Sequence, residues 1–387
     1  MELYVTDYRE RRLNDPLWKA KLRSSGTGNR PSMSEHFRPL PFHPQRPGLV
    51  APVRLDPTGR TGPTRGQAKG SRWRRSSHGF FVPSSIDATR VEQRIVEAAA
   101  VIPPGGGAVT GWAALCWLGG AWFDGTSPAG EPLPVDLAMW SNIRDQPGVA
   151  LCEERLRPDE VIEVEGLPVT IPVRSVVFEM RYAANVRSAV AVFDMAAFND
   201  LVSTEELVGY AGLAPRAGLS GWTGMPACRK AIALVDENAW SPREVATRLV
   251  WQLDAGLPRL LTNVPVFDLT GNHIGTPDML DPVAGVAVEY NGAMHLEGAR
   301  RARDVRREEA FRHVGLECLT VLAGVASNRP LLAGRMIAAR EGALRLPEDQ
   351  RRWTTRPPAW WIPTLTVAQR RALTTSQRAR LLGHRAA

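Results

Sequence analysis

The chain has 387 residues, more than one compact core usually organises, so two or three domains are expected. Hydrophobic residues make up 44% and charged residues 23%, which excludes a disordered or fibrous chain. The longest apolar stretch, Trp112 to Phe123, falls short of the roughly 20 residues of a membrane helix, and the first residues carry charge where a secretion signal carries an apolar core, so a cytoplasmic location without a membrane partner is expected.

Net charge is +8, and 44 of the 48 basic residues are arginine. The charge is unevenly placed: net +10 over residues 1–75, +8 over 351–387 where eight arginines meet no acid, and −10 between them. Basic ends around an acidic body read either as arms for a polyanion such as DNA or as solvated tails that touch nothing specific. Cys116, Cys152, Cys228 and Cys318 are far apart and form no C-x-x-C pair, so neither a disulfide framework nor a structural zinc site is expected.

Residues 1–47 read as a basic irregular arm broken by Pro31, Pro39, Pro41, Pro44 and Pro47. In 48–86, a short helix over 64–69 precedes two strands, Trp73-Arg74-Arg75 and Gly79 to Pro83. A short helix before a basic hairpin is how a winged helix ends, which would turn Arg72, Arg74 and Arg75 toward DNA phosphates; the alternative is a hairpin packed on its neighbour. Residues 87–232 read as a mixed α/β linker domain. It holds a helix over 88–100 stopped by Pro103-Pro104, a turn at Gly105-Gly106-Gly107 and a helix over 110–118. Strands over 135–138, 161–164 and 169–171 follow, then helices through 178–232, one of them capped by Ser203 or Thr204.

The chemistry concentrates in 233–345. Ser241, Pro242 and Glu244 mark a helix start, with Ser241 as N-cap and the helix running to Gly256. A strand over Leu261–Leu269, a turn at 270–272, a second strand ending at Gly275–Asp278 and a third over Gly285–Asn291 follow. In the third strand Val286, Val288 and Tyr290 face one way and Ala287, Glu289 and Asn291 the other. Asp278 and Glu289 on neighbouring strands make a hard-oxygen pair suited to Mg2+ or Mn2+, and His295 lies close enough in sequence to relay a proton. Arg300, Arg301, Arg303, Arg306 and Arg307 then stud one helix beside these carboxylates, where a phosphodiester would need them. Residues 346–387 read as a proline-rich linker and a single helix from Thr366 to Leu382 closed by Gly383.

Taken as an ordered set, Ser241-Pro242-x-Glu244, Thr276-Pro277-Asp278, Glu289-Tyr290-Asn291-Gly292, His295 and Asp304-Val305-Arg306-Arg307-Glu308 resemble the PD-(D/E)XK nucleases. Within them the likeness is to the very-short-patch-repair (Vsr-like) endonuclease branch and related actinobacterial proteins. Trp73-Arg74-Arg75, Gly79 to Pro83 and Thr110 to Leu115 are similar to abortive-infection type IV antitoxin-like proteins, which carry a winged helix. The resemblance implies an α+β multidomain chain ending in a nuclease-like domain with a central mixed sheet. It also implies Mg-dependent cleavage of DNA in repair, restriction or phage defence, with a protein partner if the chain belongs to a toxin–antitoxin system. Asp278 and Glu289 would hold the metal, Glu244 would orient water or metal, and His295 would handle the proton. The superfamily's lysine is absent and Asn291 stands in its place, so either His295 and the metal suffice or activity is lost. In that second case the chain would be a DNA-binding regulator on a nuclease scaffold.

Overall fold

The computed structural model describes residues 46–139, 143, 146–212, 222–291 and 298–385, and the chain is mixed α+β. It divides into two units, residues up to 189 with 206–229, and 190–205 with 230 onward. Among the described residues no helix is long and apolar enough to cross a membrane.

In the first unit β1 (Val53–Arg54), β2 (Trp73–Ser77) and β3 (Phe80–Pro83) form an antiparallel sheet in the order β1-β3-β2. The expected hairpin is therefore present, and the helix over 64–69 shortens to a single 3-10 turn at Gln67–Lys69. Helix α1 (Val91–Ala99) buries Ile95, Val96, Ala98 and Ala99, the apolar spacing visible in the sequence. Then come β4 (Gly107–Val109), α2 (Gly111–Trp117), β5 (Val135–Met139), β6 (Val149–Cys152), β7 (Val161–Val164) and β8 (Leu167–Thr170). The five strands make one mixed sheet in the order β6-β5-β4-β8-β7, parallel at β5–β6 and β4–β8. Helix α3 (Pro172–Tyr182) packs on α2, and Gly111 at φ 61° lies within that contact. A Cβ there would lie 2.3 Å from Glu179 Oε1, the oxygen that accepts from Trp112 N at 2.8 Å.

Helices α4 (Val186–Phe198), α5 (Thr204–Gly212) and α6 (Met225–Ile232) run across the division between the units. Helix α5 begins at Thr204, directly after Ser203, and Thr204 N donates to the Glu237 carboxylate at 2.6 Å. Within the second unit α7 (Pro242–Leu249) begins as the sequence indicates, with Glu244 N donating to Ser241 Oγ at 3.2 Å, and passes into a π-helical turn at Val250–Asp254.

The single strand expected over 261–269 is two strands, β9 (Leu261–Thr262) and β10 (Val266–Asp268). Asn263 between them adopts φ 48°, which asparagine tolerates, and Pro265 has no N–H for a ladder. The halves consequently enter different sheets. β10 lies between β11 (His273–Gly275) and β15 (Trp353–Thr354), whereas β9 borders β12 (Met279–Asp281). The second sheet has the order β14-β13-β12-β9, using β13 (Val286–Asn291) and β14 (Glu317–Leu322), and only β13–β14 is parallel. On one face Val286 and Val288 pack with Trp251 and with Leu332 and Met336 of a helix over Arg329–Leu344. On the other, Ala287 and Leu280 pack with Phe311 of the helix over Gly298–His313. The unit is thus layered helix, sheet, helix.

The tail corrects two expectations. The single helix over 366–382 is two, Val367–Arg371 and Thr375–Leu381, because Thr366 and Thr374 each build a capping box, with Gln369 and Gln377. Its arginines also do not all face solvent. Arg370 is fully buried, donating from Nε to Asp200 at 2.6 Å and from its remaining nitrogens to the carbonyls of Thr364, Ala197 and Glu237. Arg385 is buried too, donating to Phe198 O at 3.1 Å and Asn238 Oδ1 at 2.7 Å, and burial pushes its pKa down to about 9. Arg370→Ala would leave Asp200 and three carbonyls short of a donor. It is expected to destabilise the protein by about 3 kcal/mol in urea denaturation, far more than Arg380→Ala on the exposed side of the tail.

Candidate active site

Three elements of the second unit bring carboxylates together. Helix α7 supplies Glu244 from its first turn, the residue before β12 is Asp278, and β13 supplies Glu289. The antiparallel ladder ends at Met279 and Val288, so Asp278 and Glu289 are the residues next to its last pair. Asp278 Oδ2 accepts from Tyr290 N at 2.7 Å, which fixes the carboxylate at the end of β13.

Glu244 is buried, and beside the Ser241 cap its environment is built from Trp240 and Asn263, which carry no motif in the sequence. Its Oε2 accepts from Trp240 N at 2.9 Å and Asn263 Nδ2 at 2.8 Å, and its Oε1 accepts from Ser241 Oγ at 2.9 Å. Asn263 also donates from its backbone N to Asp278 O at 2.9 Å and from Nδ2 to Asn238 O at 2.8 Å. The left-handed turn that splits the strand therefore spans two of the acids. An asparagine two residues before Pro265 inside an apolar run was the available signal. Burial first, and then the negative charge of Asp278, push Glu244 up to about 7, against the hydrogen bonds it accepts.

Glu289 faces the arginine helix. Arg307 Nη2 donates to its Oε2 at 2.7 Å, with the acid 16% and the arginine 40% exposed. Arg306 is exposed on the same helix, and Glu308 pairs with Arg312 one turn on, at 2.6 Å. Arg300, Arg301 and Arg303 lie in the first half of this helix. Asn291 ends β13 on the Glu289 face, opposite Leu322 of β14. His295 lies outside the described residues. Among the described residues no three His, Cys, Asp or Glu side chains gather as a metal-binding group. The fit to a divalent cation consequently rests on the chemistry of the donors: hard carboxylate oxygens, one before β12 and one on β13, the latter already engaged by a guanidinium cation and the former raising the pKa of a third acid.

The basic hairpin of the first unit is placed differently. Arg72 is exposed in the turn before β2, and Arg75 is exposed with its guanidinium 5.9 Å from the Phe81 ring. Arg74 instead forms a two-pronged pair with Glu97 of α1, at 2.5 and 2.8 Å, and also donates to Ile86 O. Gly105, Gly106 and Gly107 form a turn into β4 and line a cavity of about 460 Å³ with Arg157 and Glu163.

Compared with protein-family models, curated proteins and solved structures, the chain matches none.

The raised Glu244 pKa makes stability fall with pH. A carboxyl near 7 when folded and near 4.5 when unfolded stabilises fully below the lower value, and that contribution is lost as pH rises through about 7. Glu244→Gln cannot ionise. In chelator, it is expected to lose about 2 kcal/mol less than the parent between about pH 5 and about pH 8, read from urea midpoints at each pH.

Proposed function

We propose that the second unit is a metal-dependent DNA endonuclease on the PD-(D/E)XK plan of the Vsr-like branch, with Asp278 and Glu289 holding Mg2+ or Mn2+. The observation that carries this reading is the meeting of the acids at one end of β13: Asp278 accepts from Tyr290 N, the residue after Glu289, and Glu244 lies close enough to feel the charge of Asp278. A divalent cation bound there supplies a lowered water pKa and neutralises charge gathering on the phosphoryl oxygens. Glu244, titrating near neutrality, is able to hold or release a proton beside the nucleophilic water. Arg306 and Arg307, with Arg300, Arg301 and Arg303 earlier on the helix, offer guanidinium groups to the DNA backbone. Asn291 contributes hydrogen bonds and no proton, so proton relay falls to His295.

The Arg307–Glu289 pair favours a second reading, because a protein cation already neutralises one proposed ligand. On that reading the chain is a non-catalytic DNA-binding regulator or type IV antitoxin-like protein that uses the nuclease fold as scaffold. Arg72 and Arg75 of a winged-helix-like N-terminal unit would then meet DNA, and a protein partner would complete the system.

Incubating the full chain with supercoiled plasmid in Mg2+, Mn2+ or EDTA separates the two. Nicking is expected only with a divalent cation, and Asp278→Ala is expected to abolish it while leaving DNA retention in a gel-shift assay intact. Metal-independent nicking, or an active Asp278→Ala protein, overturns the nuclease reading, and DNA retention with no nicking under any condition selects the regulator. If cleavage occurs, His295→Ala should slow it by about 10²- to 10⁴-fold and Asn291→Ala much less. The reverse order would move water activation away from His295.

A further inference from the structure

In the first unit, a separate cluster buries two guanidinium groups on one acid. Helix α3 places Arg174 and Arg181 two turns apart on one face, with side chains 0% and 1% exposed. Arg174 Nη2 donates to Glu154 Oε2 at 2.5 Å, and Arg181 Nη2 meets Glu154 Oε1 at 2.7 Å. The Tyr182 hydroxyl donates to the same Oε1 at 2.9 Å. The Trp222 ring centre lies 4.8 Å from the guanidinium carbon of Arg174 and 4.6 Å from that of Arg181. The Trp222 segment is pressed onto α3: Arg181 Nε donates to Thr223 O at 2.8 Å, and a Cβ on Gly224 (φ 81°) would lie 2.0 Å from Arg181 O.

Charge and hydrogen bonding are both out of balance here. Two permanent positive charges share one carboxylate. The next acid whose field reaches Arg174 is Glu160, which already accepts from the Tyr210 hydroxyl at 2.6 Å and pairs with Arg157. Among the described residues, Arg174 Nε, Arg174 Nη1 and Arg181 Nη1 are buried with no acceptor. A charged donor held away from water without an acceptor is strongly unfavourable, so among the described residues the cluster is one anion short.

We propose that Arg174, Arg181 and Trp222 form a binding site for one small oxyanion, a phosphate or carboxylate group, with Glu154 as its internal competitor. The N–H groups of guanidinium match the oxygens of one anionic centre, and the indole face supports both groups while Arg174 Nε and Nη1 and Arg181 Nη1 keep N–H bonds to donate. Burial of both side chains keeps them beyond the reach of a duplex backbone, so the ligand is a small anion and not the polyanion inferred for the second unit. The site stands whether or not the second unit is a nuclease.

Isothermal titration of the full chain with inorganic phosphate, and separately with acetate, at ionic strength fixed with sodium chloride, tests it. One saturable site per chain is expected for at least one of the two, and whichever binds tighter names the source. Glu154→Gln removes the competing charge and should tighten binding by about 10-fold, whereas a purely structural carboxylate would give no gain. Arg181→Met should abolish binding and Trp222→Phe weaken it, with the fold checked by circular dichroism. Arg174 is the more deeply packed of the pair, so the variants at Arg181 and Glu154 carry the test. No saturable binding by the parent, unchanged binding in Arg181→Met, or weaker binding in a folded Glu154→Gln would each overturn the site.

Discussion

A guanidinium group keeps its charge at neutral pH, so it enters an interior only where carboxylate, amide or carbonyl oxygens receive most of its five N–H bonds. This chain meets that requirement repeatedly, and much of its tertiary structure follows from where it does so. In the second unit Arg248 is fully buried on Asp194 and also donates to Leu234 O at 2.6 Å. Arg340 closes on the buried Asp281, whose other oxygen accepts from Val283 N and Ala284 N in the turn that leads to β13. Arg370 and Arg378 share Asp200, and Arg385 reaches Asn238, the residue that also holds the turn at Asn263. The C-terminal segment thereby becomes part of the framework behind Glu244. The cluster on Glu154 is the case in which the requirement is met least completely, which is why it reads as a site.

The same constraint sorts the arginines by role. Those with acceptors arranged around them are fixed to the protein and have little to give a ligand. Those left on the outside of the arginine helix, such as Arg306, keep a guanidinium for a partner. Arg307 stands between the two groups, 40% exposed yet bound to Glu289, and its two states distinguish the two readings of the second unit. In the nuclease it must share Glu289 with a metal, and in the regulator it takes the metal's place.

The carboxylates depend on a different regularity, the two-residue period of a strand. Val286 and Val288 are drawn into the core around Trp251, which forces Ala287, Glu289 and Asn291 to the opposite face. A slip of one residue would bury Glu289 in an apolar layer at prohibitive cost, so the hydrophobic layer sets the register and the register brings the acids together. Glu244 arrives from a helix instead, held by its cap and by Asn263, and its burial, with the charge of Asp278 second, is what raises its pKa toward neutrality.

Local rules were sufficient wherever the determinant lay within a few residues. The alternation of β13, the Ser241 cap of α7 and the hairpin around Gly79 could all be read from the sequence, because side-chain period, capping and turn chemistry act over short spans. The sequence also contained the charge excess of residues 351–387, but not its destination: Asp200 lies 170 positions from Arg370 and Asn238 lies 147 from Arg385, and only the folded chain brings them into contact. The break at Asn263 was missed because an apolar run looks continuous until tertiary contacts pull its halves into different sheets. The convergence of Arg174 and Arg181 on Glu154 and Trp222 lay beyond sequence for the same reason. Each residue alone has the composition of a surface, and it is burial beside a long-range partner, decided by the packing of the whole unit, that turns charge into architecture or into a site.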